Sequence, residues 1–453
     1  MKTMEAAELT EKISNCLKEG NIEGVKEVLL SSHATEIATI FHSLDPADRP
    51  KLLSSLDTET ASKIILELEK GQRQEILSGL DPEYIANIVN EMDSDDAADL
   101  ISELPEDEAR VVLAKMPPEV VKDVVTLLRY PKDSAGGIMQ AELVQVTNDS
   151  TVRDTINWIR LIADEVEDFY EIYVTDITDK LLGMVSLKKL VLANPLIQVG
   201  DIMEQVPVKV TPYVDQEEVA NIFKKYDVVS MPVVDDEGRL LGRITADDVI
   251  DVITEEASED IYRFAGVQEY IHPIYTPILT KVRLRIPWIL LTLFGELLIA
   301  VVIVHTFKPT LERIAILAAF MPAIMATGGN VGLQTTTIVV RGLGMGTINI
   351  AQLFQLIFSE IKEGFFLGVI CGVVAAIIGG VISMNEPEFI KLAFAIFVSM
   401  ISAITATSFI GAAAPLVLYK LKFDPAAASG PFLTMFNDIF GSVVYLFIAM
   451  LIF

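Results

Sequence analysis

The chain is poor in the residues that build covalent and soft-metal chemistry. Its 453 residues include two cysteines, four histidines and two tryptophans. Cys16 and Cys371, the latter inside an apolar run, cannot make a disulfide framework, so a reduced, cytosol-facing chain is expected. His33, His42, His272 and His305 are scattered, and the 15 methionines do not cluster. Neither set suggests a Zn²⁺ or Cu⁺ centre. No nucleophile–base constellation or phosphate loop is recognisable, which speaks against an enzyme. Basic residues are also scarce, with 35 Lys and Arg against 63 Asp and Glu and a net charge of −28. The imbalance is local: residues 1–271 carry 25 basic and 55 acidic side chains, residues 272–453 ten and eight. Such a polyanion repels phosphate backbones, which excludes nucleic acid as a partner and makes cations the natural ones. The opening MKTMEAAELTEK is polar and acidic, so no signal peptide is expected there.

Long apolar runs begin near Ile286. Five are long enough to cross a ~30 Å hydrocarbon core: 286–304, 314–340, 365–382, 390–418 and 433–453. Lys281, Arg283, Arg285, Arg341, Lys362, Lys420 and Lys422 fall on one side of these spans, and only Lys308, Arg313 and Lys391 on the other. The positive-inside bias predicts a cytoplasmic N-terminus, and an odd number of spans an extracytoplasmic C-terminus.

The acidic part contains two kinds of repeat. Leu44, Leu56, Leu68, Leu80, Met92, Leu104 and Met116 recur every 12 positions. Helix-start pairs follow most of them: Asp45-Pro46, Asp57-Thr58, Asp81-Pro82, Asp93-Ser94, Pro105-Glu106 and Pro117-Pro118. Helices this short cannot bury themselves alone, so a small superhelical stack is expected, a plain acidic bundle being the alternative. The second repeat is a pair. Ile138-Met139 and Val146-Thr147 return 64 residues later as Ile202-Met203 and Val210-Thr211. Leu182–Ser186 returns 59 later as Leu241–Thr245, the difference being absorbed by a longer loop around 164–168. Each copy reads strand, helix, strand, turn, strand, helix, with strands at 170–174 and 230–234. This resembles a tandem pair of CBS domains. Gly242, Ile244, Thr245 and Asp248 match that family's ligand motif, in which the Asp contacts a ribose. Lys189 stands in the corresponding place of the first copy. The resemblance therefore implies at most one standard nucleotide site, for ATP at Thr245 and Asp248; a purely dimerising scaffold is the alternative.

The order of parts, with the linker Tyr130-Pro131-Lys132-Asp133-Ser134-Ala135-Gly136-Gly137-Ile138-Met139, resembles the MgtE family of bacterial magnesium channels along essentially the whole chain. The most specific membrane motifs are Thr327-Gly328-Gly329-Asn330-Val331-Gly332-Leu333-Gln334, Asp424-Pro425, Ser429-Gly430-Pro431 and Thr434 to Asp438. The expected architecture is multidomain and mostly α: an acidic superhelical domain (1–130), a first (138–200) and a second (201–254) α+β CBS domain, a connecting helix (255–280) and a five-helix transmembrane domain (281–453). The resemblance implies a homodimeric Mg²⁺ channel in the lipid of the bacterial cytoplasmic membrane, closed by cytosolic Mg²⁺. Mn²⁺ or Co²⁺ preference is the nearest alternative. A CBS-containing efflux protein would place its membrane domain first.

Residue chemistry supports a cation path independently. A lone carboxylate at Asp438, five residues into an apolar run, costs ~2.5–3.5 kcal/mol and should face a wet pathway. Gly328 and Gly329 can let the backbone unwind and bare its carbonyls, and Asn330 adds an amide oxygen. Oxygen donors suit hard, still-hydrated Mg²⁺. Glu296 is a second intramembrane acid, with no family motif. Asp95 with Asp99, and Asp248 with Asp251, are spaced to share helix faces, and Thr254-Glu255-Glu256-Ala257-Ser258-Glu259-Asp260 opens the segment leading to the membrane. By resemblance, Asp95, Asp99, Glu217, Asp227, Asp248, Asp251, Glu256, Glu259, Asp260 and Asp424 are the expected regulatory Mg²⁺ ligands.

Overall fold

The structure, a computed structural model, describes residues 13, 41, 44 and 48–453, except 69, 163–168, 268–275, 314–315, 345–347, 349–351, 386 and 426–429. Cys16, His33, His42, Asp45-Pro46, the 164–168 loop, His272 with the adjoining part of the connecting segment, and Ser429 lie outside the described residues. The chain divides into two compact units, Met1–Ile253 and Thr254–Phe453.

In the first unit, short helices follow one another at the expected spacing: α1 (Arg49–Leu53), α2 (Thr58–Glu67), α3 (Lys70–Leu77), α4 (Pro82–Val89), α5 (Ser94–Glu103), α6 (Glu106–Leu113) and α7 (Pro118–Leu127). Asp57 caps α2 by accepting from the Thr60 N–H, and Asp81 caps α4 by accepting from the Glu83 N–H. The periodic apolar residues lie next to the helix ends and turn inward. Leu44, Leu56, Leu68, Met92, Leu104 and Met116 are buried, and Leu80 packs against the same core. That core continues without a break into Met139, Val219, Phe223, Met231, Ile244 and Val249. The helical stack and the second copy of the paired repeat are thus packed together.

The paired repeat comprises β1 (Gln145–Thr147), α8 (Val152–Leu161), β2 (Glu171–Thr175), β3 (Leu181–Ser186), α9 (Leu187–Leu192), α10 (Val199–Ile202), α11 (Gln216–Tyr226), β4 (Ser230–Val234) and β5 (Leu240–Thr245). β2 and β3 pair antiparallel with an irregularity at Val174/Thr175; β4 and β5 repeat this with one at Val233/Val234. β1 runs parallel to β2, whereas its counterpart in the second copy is reduced to one bridge from Val210 to Val233. The repeated Ile-Met leaders have a packing reason. Gln140 exchanges backbone hydrogen bonds with Arg243, and Glu204 does so with Met184. A Cβ at Gly242 would come 2.5 Å from the Gln140 carbonyl, and one at Gly183 2.6 Å from that of Glu204. Each copy's leader therefore docks on the glycine-bearing strand of the other copy, so the expected boundaries at 138–200 and 201–254 cut through an exchanged pair.

The helix expected to start near residue 255 is already formed nine residues earlier: α12 runs Ala246–Phe264, continuous with the strand end at Thr245. In the second unit follow α13 (Ile278–Val302), a π turn at Ile303–Phe307, α14 (Lys308–Arg313), α15 (Leu317–Gly344), α16 (Leu353–Ile382), α17 (Phe389–Lys420) and α18 (Pro431–Ile452). By length and composition, four described segments can cross a membrane: Ile278–Glu312, Leu353–Ile382, Phe389–Lys420 and Pro431–Ile452. The remaining long helix, α15, has 28 residues, enough to span, but Gly328, Gly329, Asn330, Gln334 and Thr335–Thr337 dilute its apolar character. It packs on α17 and α18, burying Gly328, Gly332, Thr335 and Thr336.

Candidate ion-binding sites

The first acidic centre forms where α5 meets the paired repeat. The start of α5 is pinned: Ser94 Oγ donates to Glu142 Oε2 (2.6 Å) and accepts from the Ala141 N–H (2.8 Å). Lys132 Nζ pairs with Asp99 at 2.9 Å. This presents Asp95 and Asp96 to Asp248 at the start of α12. Asp248 Oδ2 accepts from the Thr245 N–H (3.2 Å), the Thr245 hydroxyl and Gln140 Nε2 (3.4 Å). Asp95 is 8 % exposed, and its Oδ1 is buried with no hydrogen-bond partner among the described residues. Burial first, then the charges of Asp248 and Asp96, push the Asp95 carboxyl well above the usual range. Burial, Asp248, Asp93 and Asp99 push Asp96 up to about 7, with only Arg73 pulling the other way. Asp248 is raised as well, by burial and by Asp247 and Asp251, against the bonds from Thr245. Arg73 itself is held bidentately by Glu103, at 2.8 and 2.6 Å. Three carboxyls therefore crowd together here, one of them with an orphaned oxygen.

The expected regulatory residues divide accordingly. Asp95 and Asp248 come together. Asp99, on the same helix, is ion-paired with Lys132 and also acts on Asp96, which joins Asp95 beside Asp248. Asp251 is exposed and feels Asp247 and Glu67. Glu217 and Asp227 stand at opposite ends of α11. The Glu217 N–H donates to Asp215, and Asp227 caps the helix in the left-handed region at φ 53°. Neither is among the principal charges acting on Asp95, Asp96 or Asp248. The i,i+4 spacing does not point to Asp96; the signal available in the sequence is the Asp95-Asp96 doublet in the first turn of α5.

In the second unit, Arg263 forms ion pairs with both Glu259 and Asp424. These two acids, expected to repel until a metal bridges them, are therefore bridged by a guanidinium of the chain. Glu256 is half-buried one turn earlier on α12. Asp260 borders a cavity of about 670 Å³ lined by Ile261, Phe264, Leu333, Val340 and Arg341. Burial raises its carboxyl, against the pull of Arg263 and Arg341. Among the described residues, no three His, Cys, Asp or Glu side chains are already gathered into a metal site.

The membrane motif also differs from expectation. α15 is continuous through Thr327-Gly328-Gly329-Asn330, so the glycines do not unwind it. Gly328 instead admits Thr407, 3.5 Å from where a Cβ would stand, while Gly329 has nothing within 4 Å. Asp438 lies on α18, half-buried, and its side chain hydrogen-bonds that of Glu296 on α13. Next to it, Asn437 is 1 % exposed, set against Gly332, with neither amide atom partnered among the described residues. A buried polar seam continues through Thr336, whose hydroxyl donates to the Gly411 carbonyl (3.0 Å), and Thr335, which donates to buried Glu360 (3.2 Å). Sequence reasoning passed over Asn437 and Glu360.

Membrane-crossing helices with a polar seam and intramembrane carboxyls, joined in one chain to an acidic CBS-bearing region, define an integral membrane protein built to handle cations. Comparison with known proteins makes this specific. Residues 32–133 match the MgtE intracellular N domain, 199–255 a CBS domain, and 321–448 the MgtE divalent cation transporter domain. The chain is 34% identical to the magnesium transporter MgtE of Bacillus subtilis over 72% of its own length and 71% of the relative's. It is 32% identical to that of Thermus thermophilus over 73% and 72%. A crystal structure of the cytosolic domain of the Mg²⁺ channel MgtE in complex with ATP superposes with a TM-score of 0.51 at 34% identity, covering 54% of this chain and 99% of that one. The chain belongs to the MgtE family of divalent cation transporters.

Proposed function

We propose that this chain carries Mg²⁺ across the bacterial cytoplasmic membrane as a homodimer and is closed by cytosolic Mg²⁺ collected on its acidic faces. It is a transporter and not an enzyme. α15 is counted as a crossing beside the other four, with the chain's N-terminus cytoplasmic and its C-terminus extracytoplasmic. Its polar composition suits a helix that faces an ion path instead of lipid. Asp438 supplies the charge that holds the hydrated ion, with Asn330 and the Gly328-Gly329 surface beside it. Oxygen donors without Cys or His favour Mg²⁺ over softer ions.

The observation that carries the gating is the orphaned Asp95 oxygen facing Asp96 and Asp248. Without a cation, these charges oppose the packing of α5 on the paired repeat; a bridging Mg²⁺ reverses the sign. A ligand shifts an equilibrium toward the state it binds better. Moving a gate from 99:1 to 1:99 takes about 5.5 kcal/mol, within reach of several weak sites acting together. Glu256, Glu259, Asp260 and Asp424 form a second acidic group in which Arg263 already supplies part of the countercharge. ATP comes second to Mg²⁺. Asp248, the motif carboxylate, is engaged by Thr245 and Gln140, and Lys189 pairs with Glu204 at 2.8 Å where the first copy would need an acid. The test is current through the reconstituted protein with Mg²⁺, Mn²⁺, Co²⁺ or Ca²⁺ as the permeant ion. Asp438→Asn should abolish Mg²⁺ current or its selectivity while leaving the dimer intact. Unchanged Mg²⁺ current with unchanged exclusion of monovalent ions removes Asp438 from the path.

A further inference from the structure

α13 is exposed along most of its length, which makes its few covered positions informative. Between Ile289 and Ala300, only Thr292, Gly295, Glu296 and Ile299 are not exposed. They fall at i, i+3, i+4 and i+7, the single stripe with which a helix meets a neighbour. The neighbour is α18. A Cβ at Gly295 would run into the Met435 side chain, so the two helices are tightly packed there. Met435 and Asp438 lie three residues apart on one face of α18, as Gly295 and Glu296 lie side by side on α13. Close packing at the first pair therefore delivers the two carboxyls of the second to one another, where they hydrogen-bond. Thr292 donates to the Ile289 carbonyl (2.9 Å) on its own helix, so Glu296 alone in this stripe offers a side-chain partner to Asp438.

A carboxyl in a membrane helix is costly unless it is paired. Leucine in this stripe would pack against α18 without that cost. We propose that Glu296 is a positioning residue of the ion path, holding the Asp438 carboxylate in one orientation through their shared hydrogen bond. A hydrated divalent ion is gripped through its water shell, so a carboxylate fixed in advance binds it better than one free to rotate. The inference rests on the reading of Asp438 as the ion-path carboxylate.

The experiment reconstitutes the full-length protein in vesicles and measures Mg²⁺ uptake against external Mg²⁺ for Glu296→Leu, Glu296→Gln, Asp438→Asn and the Glu296→Leu/Asp438→Asn double variant. Elution and melting are recorded for each. Glu296→Leu should elute and melt like the parent yet need about tenfold more Mg²⁺ for half-maximal uptake, the factor equivalent to about 1.4 kcal/mol. Glutamine can donate an amide N–H to Asp438, so Glu296→Gln should stay within about threefold of the parent. On the Asp438→Asn background, Glu296→Leu should add nothing, because its target is gone. Glu296→Ala replaces the leucine variant if the latter does not fold. Parental half-saturation in Glu296→Leu beside an impaired Asp438→Asn overturns the positioning role alone. So does a Glu296→Gln variant as impaired as the leucine one. If Asp438→Asn is itself silent, the ion-path reading falls, and the inference with it.

Discussion

Replacing Asp95 by Asn tests the sensor in sign as well as size. The substitution keeps the shape of a side chain that is 8 % exposed and removes one charge from a group of three. Two carboxylates about 6 Å apart repel by roughly 3 kcal/mol at an effective dielectric of 20. The two carboxyls whose charges act most on Asp95 are Asp248 and Asp96. Even if water and bound protons remove half of one such interaction, relief of about 1.5 kcal/mol remains, more than tenfold in the docking equilibrium of the metal-free protein. The new amide can also donate to Asp248. In Mg²⁺ the effect reverses, because the variant has lost the orphaned oxygen that the cation would satisfy. Limited proteolysis at the 130–139 linker reads both arms. That linker is stitched to the second repeat copy by the Ala135 N–H donating to the Val214 carbonyl (2.7 Å) and the Gly136 N–H to that of Pro212 (2.8 Å). In EDTA, Asp95→Asn should be better protected than the parent; with rising Mg²⁺ its protection should increase less, and vesicle uptake should be less inhibited by internal Mg²⁺. Parental protection in EDTA together with a parental Mg²⁺ midpoint would refute the reasoning.

Three further outcomes are expected. Because the Asp96 carboxyl is raised to about 7 in the folded protein and Asp95 and Asp248 are raised too, the folded state binds protons better than the unfolded one. Stability from these groups is therefore fully present below the ordinary carboxylate range and lost as pH rises through about 7, so metal-free linker protection should grow between pH 8 and 6. Mg²⁺ should flatten that slope, and a protection that falls on acidification would contradict it. Gly332→Ala places a Cβ 2.6 Å from Asn437 Nδ2 and should cost about 1–3 kcal/mol, read as a lower melting temperature in detergent, whereas Gly329→Ala meets nothing within 4 Å and should be silent; equal effects would dismiss the packing account. A reporter active only in the cytoplasm, fused after Phe453, should be inactive, and robust activity would reject five crossings.

The soluble architecture was legible because its signals are local and repeated. The 12-residue period marks the inward turn of each helix end, and caps at Asp57 and Asp81 act within their own helices. The 59-residue offset reappears in strand register down to the irregularities at Val174 and Val233. The leader exchange was not legible. Nothing around Met139 says that it docks beside Gly242 of the other copy in place of Gly183 of its own. The same limit covers Lys132. Spacing places Asp95 and Asp99 on one face, but it does not say that Lys132, two helices further along the chain, pairs with Asp99.

In the membrane part, composition located the apolar runs and the costly acids, but partners had to come from packing. Glycine is ambiguous from sequence, since the same residue permits an unwound backbone or a close helix crossing. Here α15 stays helical, and its small residues serve approach: Gly332 to Asn437, and Gly411 of α17 to the Gly332 carbonyl, 2.6 Å from where a Cβ would stand. That closeness is what allows Thr336 to reach the Gly411 carbonyl across the interface. Glu296 shows the converse. As one acid in an apolar run it could equally have been an interhelical hydrogen-bonding group or part of the path. Only the stripe at Thr292, Gly295, Glu296 and Ile299, meeting Met435 and Asp438, joins the two alternatives, because the interhelical partner it finds is Asp438, the carboxylate we propose for the ion path.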